Sequence, residues 1–195
     1  LSIRGGIPTS RETERAALSA GIPLLSFEEI LAGEETARLD VAVDGADEID
    51  PEGRLLKGGG ASLLREKIVA RFAHRMVVIA DETKRVDRLG AFPLPVEIVP
   101  FGAAATAVAV GAALALVLGR TVPVRLRERA GEPVVTDNGN WLLDCATGPM
   151  ADPEAVADAL GRLAGVVEHG LFLSEADAIV IGRADGTVAA TERPR

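Results

Sequence analysis

Three short stretches carry side chains whose types and spacing could do chemistry. Asp44-Gly45-Ala46-Asp47-Glu48-Ile49-Asp50 gathers carboxylates that can accept hydrogen bonds from sugar hydroxyls, hold a divalent cation, or simply solvate a loop. Their spacing does not fit the calcium-loop pattern, and no other metal-ligand set stands out. Lys57-Gly58-Gly59-Gly60 leads towards Glu66. Glycines let a backbone approach a ligand closely, the start of a helix favours negative charge, and a lysine can neutralise a developing oxyanion. The spacing matches neither G-x-G-x-x-G nor G-x-x-x-x-G-K-[ST], which counts against a nucleotide, and a glycine-rich turn can equally be a plain structural loop. Glu66 can act as a base or merely complement the dipole of its helix. The third stretch, Asp81-Glu82-Thr83-Lys84, offers in Lys84 a cation for a ligand phosphate or, alternatively, a solvated loop.

The elements around these stretches bring them towards one edge. Thr9 with Glu12 and Ser26 with Glu29 have the spacing of a capping box, which predicts helices starting near Ser10 and Phe27. Ile22 to Leu25, Leu39 to Val43 and Met76 to Ala80 read as short parallel strands, and Ala61 to Ala73 as a helix with Leu64, Ile68 and Phe72 on its apolar face. Ligands in open α/β sheets sit beyond the carboxyl ends of the strands, so Asp44, Asp47, Lys57, Glu66 and Lys84 can converge on one cleft. From Leu94 the rhythm changes: strand Val96 to Phe101, helix Ala103 to Leu118, strand Val122 to Arg127, a strand pair meeting at Asn138-Gly139, helix Pro153 to Leu163 and strand Val166 to Leu173. This β-α-β-β-α-β order is that of a ferredoxin-like split unit. A last strand, Ala178 to Ile181, turns at Asp185-Gly186 and rejoins the first unit. The fold class expected is therefore α/β, a parallel-sheet domain of residues 1–94 and 175–195 with an α+β domain of residues 95–174.

Composition removes several function classes. The net charge of −8 and the lack of any Lys/Arg block argue against a nucleic-acid surface. Cys145 is the single cysteine, so no intramolecular disulfide can form and a reducing cytoplasm fits; with only His74 and His169 beside it there is no structural zinc set. Both histidines, like Trp141 and Cys145, read as packing residues. The uncharged run from Ile98 to Gly119 is mostly alanine and contains Pro100, so it reads as a buried helix and not a membrane span.

Taken together, these strings resemble the type A ribose-5-phosphate isomerases. The likeness is carried by Val43 to Ile49, Lys57 to Ala61, Arg65-Glu66-Lys67-Ile68, Ile79-Ala80-Asp81 with Lys84, Leu94-Pro95-Val96-Glu97 and Thr136 to Asn140, and runs from near Ile3 to near Gly186. The resemblance implies a Rossmann-like catalytic domain with a ferredoxin-like lid, no cofactor, no metal, and a homodimer or homotetramer acting on a sugar phosphate. It implies Glu66 as the proton acceptor and Asp44 and Asp47 as partners of the sugar hydroxyls. It also turns Lys57 towards the reacting oxygens, with Gly58, Gly59 and Gly60 beside it and Gly45 and Ala46 lining the substrate, and puts Lys84 towards the phosphate. Family members carry a further strand and a Thr-Gly-Ser-Thr type loop upstream of the segment matching Leu1, so the sequence is expected to be a fragment that binds the phosphate weakly. Two rival readings are a non-catalytic sugar-phosphate sensor, for which no DNA-binding module is visible, and a coenzyme A transferase relative, for which no coenzyme-binding region is visible.

Overall fold

The chain is described by a computed structural model covering residues 3–32 and 37–193. Two short helices open it, α1 (Arg11–Ser19) and α2 (Phe27–Leu31). At α2 the capping box forms, Ser26 Oγ accepting from Glu29 N while Glu29 Oε2 accepts from Ser26 N. At α1 the cap is Ser10, whose Oγ accepts from Thr13 N at 3.0 Å, and not Thr9 with Glu12. The stretch Ile22 to Leu25 forms no strand; Leu24 makes a single parallel bridge to Gly6.

Strand β1 (Ala42–Asp44) is followed by the short β2 (Glu48–Ile49) and β3 (Leu55–Leu56), helix α3 (Leu63–Phe72), β4 (Met76–Asp81) and a 3-10 turn at Glu82–Lys84. Then come β5 (Leu94–Ile98), α4 (Ala103–Leu118), β6 (Val124–Leu126), β7 (Glu128–Arg129), β8 (Glu132–Pro133), β9 (Trp141–Cys145), α5 (Pro153–Gly161), β10 (Val166–His169), β11 (Leu171–Phe172), β12 (Ala178–Gly182) and β13 (Val188–Glu192). One sheet runs β1-β4-β12-β13, its first three strands parallel and β13 antiparallel. This is the Rossmann-like half, and Asp44 and Asp81 close the carboxyl ends of adjacent strands. A second sheet runs β10-β5-β9-β6, wholly antiparallel. Numbered as a β-α-β-β-α-β unit, that is the order fourth, first, third, second of a ferredoxin-like fold.

A third, small sheet, β11-β3-β2, joins the halves. Side chains alternate across a strand, and here the alternation divides two cores: Leu56 and Leu171 enter the core beneath α4 and α5, while their neighbours Leu55 and Phe172 enter the core beneath the parallel sheet. The strand expected over Val166 to Leu173 is broken at Gly170 for this reason, β10 pairing with β5 and β11 with β3.

Two further expectations need correction. The buried face of α3 is Leu63, Lys67, Val69 and Ala70, with Ile68 exposed, so an ammonium stands where an apolar stripe at Leu64, Ile68 and Phe72 was expected. The tight hairpin lies at Ala130-Gly131 between β7 and β8. Asn138-Gly139 sits in a wider turn closed by one bridge, Val135 to Trp141, because its side chains are drawn to the buried Glu97. Among the described residues no helix is long and apolar enough to cross a membrane.

Candidate active site

The four carboxylates from Asp44 to Asp50 divide by partner. Glu48 is buried and accepts from the backbone N–H groups of Gly90 and Phe92, tying down the loop before β5. Asp50 is buried and accepts from Arg54 N at 2.9 Å and Nε at 2.6 Å. Both are spent on structure. Asp44 and Asp47 remain half-buried and turn towards the glycine segment. Asp47 Oδ2 accepts from Gly59 N at 2.8 Å, and a Cβ on Gly59 would stand 2.7 Å from Asp47 Oδ1, so only glycine permits this approach.

Lys57 lies at the centre, 3% exposed. Its Nζ donates to the Gly45 carbonyl at 2.5 Å and stands 3.1 Å from Asp44 Oδ2 and 3.2 Å from Glu66 Oε2. The Glu66 contact is an ion pair that does not complete a hydrogen bond, leaving Oε2 buried with an open lone pair. Burial pushes the Glu66 carboxyl above the usual carboxylate range; Asp44 and Asp47 push the same way, and Lys57 opposes them without reversing the shift. The result is a carboxylate whose proton affinity is increased, beside a cation held by three oxygens.

The backbone around the pair is constrained. Gly58 has φ 106°, and Ala61, without a glycine's freedom, is held at φ 66°. The antiparallel sheet reaches over: Arg127 Nη1 donates to Gly58 O at 2.8 Å and Gly59 O at 3.2 Å, while Asp144 pairs with its guanidinium. Arg127 had no local signal in the sequence, since its partners lie far along the chain and meet it only through sheet register. The turn at Asp137-Asn138 is anchored on the same side, Arg65 donating to Asn138 Oδ1 and Asp137 O at 2.8 Å each. Thr136, Asn138 and Asn140 all donate to Oε1 of the fully buried Glu97.

Asp44 and Glu66 open on a cleft of about 150 Å³ lined also by Gly5, Gly6 and Thr9. Thr9 lines this cleft, the capping role at α1 being taken by Ser10. Asp44, Asp47, Lys57 and Glu66 with Gly45, Gly58 and Gly59 thus form one cluster; Ala46 is half-buried, and Gly60 is exposed at the end of the turn. Lys84 is on the 3-10 turn after β4, on the same sheet edge, and makes no hydrogen bond or ion pair with that cluster among the described residues. The His169 imidazole is largely enclosed, and burial, with Lys67 adding to the effect, pushes its pKa down to about 4, so it is neutral at physiological pH. Among the described residues no group of three or more His, Cys, Asp or Glu side chains could hold a metal ion.

Comparison with known proteins gives this geometry a family. Residues 5–186 match the family model described as ribose 5-phosphate isomerase A (phosphoriboisomerase A). Similar proteins include the ribose-5-phosphate isomerase A of Methylorubrum populi, 52% identical over 94% of this chain and 75% of its own, and that of Rhodopseudomonas palustris, 50% identical over 93% and 75%. Among solved structures, ribose 5-phosphate isomerase from Plasmodium falciparum superposes with a TM-score of 0.85 at 34% identity, covering 97% of this chain and 78% of its own. A D-ribose-5-phosphate isomerase solved in complex with phospho-erythronic acid follows at 0.84 and 35%, covering 96% and 77%. With a family match across nearly the whole sequence and half of all positions identical to a curated relative, the chain belongs to the ribose 5-phosphate isomerase A family.

Proposed function

We propose that this chain interconverts ribose 5-phosphate and ribulose 5-phosphate through an enediolate, with Glu66 as the base, a step of the non-oxidative pentose phosphate pathway. The observation that carries the reading is the buried pair of Glu66 and Lys57, 3.2 Å apart, in a chain of this family. Aldose–ketose isomerisation takes a proton from C2 of the open-chain aldehyde and returns one to C1. That needs a single base on one face of the carbon pair and an electrophile at the oxygens, where negative charge develops.

Glu66 fits the role of base, because an increased proton affinity makes its carboxylate a stronger one. Lys57 fits the role of electrophile, being a cation fixed by Gly45 O and two carboxylates, so that little reorganisation accompanies the charge. Asp44 and Asp47 hold sugar hydroxyls and assist ring opening, the glycine turn lies against the reacting end, and Lys84 takes the phosphate. The relative bound to phospho-erythronic acid adds support, since that ligand pairs a phosphate with a carboxylate resembling the planar oxygens of an enediolate. We infer further that residues 95–174 act as a lid on a catalytic unit of residues 1–94 and 175–195. We also infer a homodimer or homotetramer working in the cytoplasm, a reading supported by the uncharged outer face of α4 with Phe101, Val108 and Leu116 exposed.

The test is a coupled assay of ketose formation from ribose 5-phosphate. Glu66→Gln keeps size and polarity but removes the base, and kcat is expected to fall by about 10²–10⁴ with substrate binding retained. Retention of more than about a tenth of wild-type turnover removes Glu66 from the role.

A further inference from the structure

We propose that the segment Glu168-His169-Gly170-Leu171-Phe172 is a positioning element that sets Lys57 and Glu66 against each other, with the pair of buried Lys67 and half-buried Glu168 as its anchor. The proposal rests on the reading of Glu66 and Lys57 as the reacting pair. Neither partner is positioned by its own element alone. Lys57 follows β3, Glu66 is on α3, and this one segment grips Lys57 itself and, through Lys67, the helix turn that carries Glu66.

Six contacts make the grip. Lys57 N donates to Gly170 O at 2.8 Å, fixing the lysine's backbone. Lys67, the residue after Glu66, sends its Nζ to Glu168 Oε1 at 2.7 Å and to His169 O at 2.8 Å, fixing the turn of α3 that carries Glu66. The ring of Phe172, fully buried, lies 5.4 Å from Lys57 Nζ and 4.8 Å from Lys67 Nζ, within the range of cation–π attraction for both. Gly170 N donates to Pro95 O at 2.8 Å, tying the segment to β5.

Lys67 is only 2% exposed beside a half-buried Glu168, and burying an ammonium in an ion pair is a poor way to gain stability: an apolar pair of similar volume commonly serves as well or better. What a buried pair with two directed hydrogen bonds supplies is a fixed geometry. Burial lowers the proton affinity of Lys67, and the charge of Glu168 opposes that shift. The largest charge effects on Glu66 come from Lys57, Asp44 and Asp47, while Lys67 acts on its helix turn through the two hydrogen bonds to this segment.

The experiment replaces the anchor by apolar groups in the full chain, Lys67→Met with Glu168→Leu, and compares it with the conservative Glu168→Gln, which keeps an oxygen for Lys67 Nζ. The expected result for the double variant is a wild-type melting temperature with kcat lowered about 10- to 100-fold, because displacements of about 1 Å cost that much. KM should stay within about threefold, since ground-state binding does not depend on the pair's alignment. The acid limb of the pH–rate profile should keep its position, and Glu168→Gln should recover most of kcat. A second readout does not depend on turnover: in ¹⁵N-lysine NMR, the Lys57 ammonium resonance should shift in the double variant and return in Glu168→Gln. Unchanged kcat and an unmoved Lys57 resonance would overturn the proposal, and so would parallel losses of kcat and melting temperature that Glu168→Gln does not rescue. If the wild-type chain fails to isomerise ribose 5-phosphate, the proposed function fails, and the Lys57 resonance alone decides the positioning role.

Discussion

Adding one methyl group at Gly170 should cost both stability and turnover. Gly170 is buried where β10 passes into β11, and a Cβ there would stand 2.1 Å from the Lys57 carbonyl oxygen and 2.9 Å from Pro95 Cδ. Carbon and oxygen that are not hydrogen-bonded conventionally approach no closer than about 3.3 Å, so Gly170→Ala forces Lys57 and the segment apart by about 1 Å. Neither neighbour is a flexible side-chain end, so the backbone must move. Two hydrogen bonds of 2.8 Å, Lys57 N to Gly170 O and Gly170 N to Pro95 O, are stretched in the process. Overpacking costs about 1–3 kcal/mol and each of the two weakened bonds about 1 kcal/mol, together roughly 3–5 kcal/mol. For a chain of this size that lowers the melting temperature by about 6–20 °C. A shift of about 1 Å at Lys57 should lower kcat by about 10²-fold. Thermal unfolding followed by circular dichroism and the coupled assay below the new midpoint measure the two effects separately. A soluble variant melting within about 2 °C of wild type, with kcat within about threefold, would show that the strands absorb the methyl and that Lys57 does not depend on this contact.

Other outcomes follow from the same site. Because burial first, then Asp44 and Asp47, raise the Glu66 pKa, kcat/KM should fall with decreasing pH at a midpoint above the ordinary glutamate value of about 4.3; a midpoint at or below it would contradict the assignment. The stability sign is opposite. The folded state holds the Glu66 proton more tightly than the unfolded one, so this group's contribution is fully present below the ordinary value and is lost as pH rises through the raised one. Glu66→Gln should therefore melt higher than wild type at neutral pH and lose that advantage in acid, and a lower melting point at neutral pH would refute the reasoning. Burial, with the charge of Asp144 adding, pushes the Cys145 thiol up to about 12, so it should resist thiol reagents at mild alkaline pH until the chain unfolds, which a colorimetric thiol titration checks. Lys57 supplies the electrophile on the proposed path, so turnover should survive exhaustive chelation; loss on EDTA treatment and recovery with a divalent cation would recast Asp44 and Asp47 as ligands.

Several features were legible because their signals are local. The box at Ser26 and Glu29 needs only residues three apart, and it forms as read. Helix α4 spans Ala103 to Leu118 as expected, bounded by Gly102 and Gly119, both left-handed. The ferredoxin-like unit was readable from the order of its elements, and the glycine turn with Glu66 in the next helix from the string itself. Spacing placed Asp44, Asp47, Lys57 and Glu66 near one strand edge, because a parallel strand delivers whatever follows it to that edge.

What required the tertiary structure was partner choice. Ser10, not Thr9, caps α1, and Thr9 lines the cleft. Nothing in Asp44 to Asp50 tells which carboxylates are spent on Arg54 and the Gly90–Phe92 loop and which stay with Lys57, because those partners come from other parts of the chain. Lys67 was hidden for the same reason. A helix's own periodicity favours Leu64, Ile68 and Phe72, but the face that is buried is the one β1 and β10 cover, β10 lying about a hundred residues downstream, and Glu168 waits there to accept the ammonium. Local chemistry determines where helices and turns begin; burial and pairing depend on which distant surface is laid on them, and only the packed chain decides that.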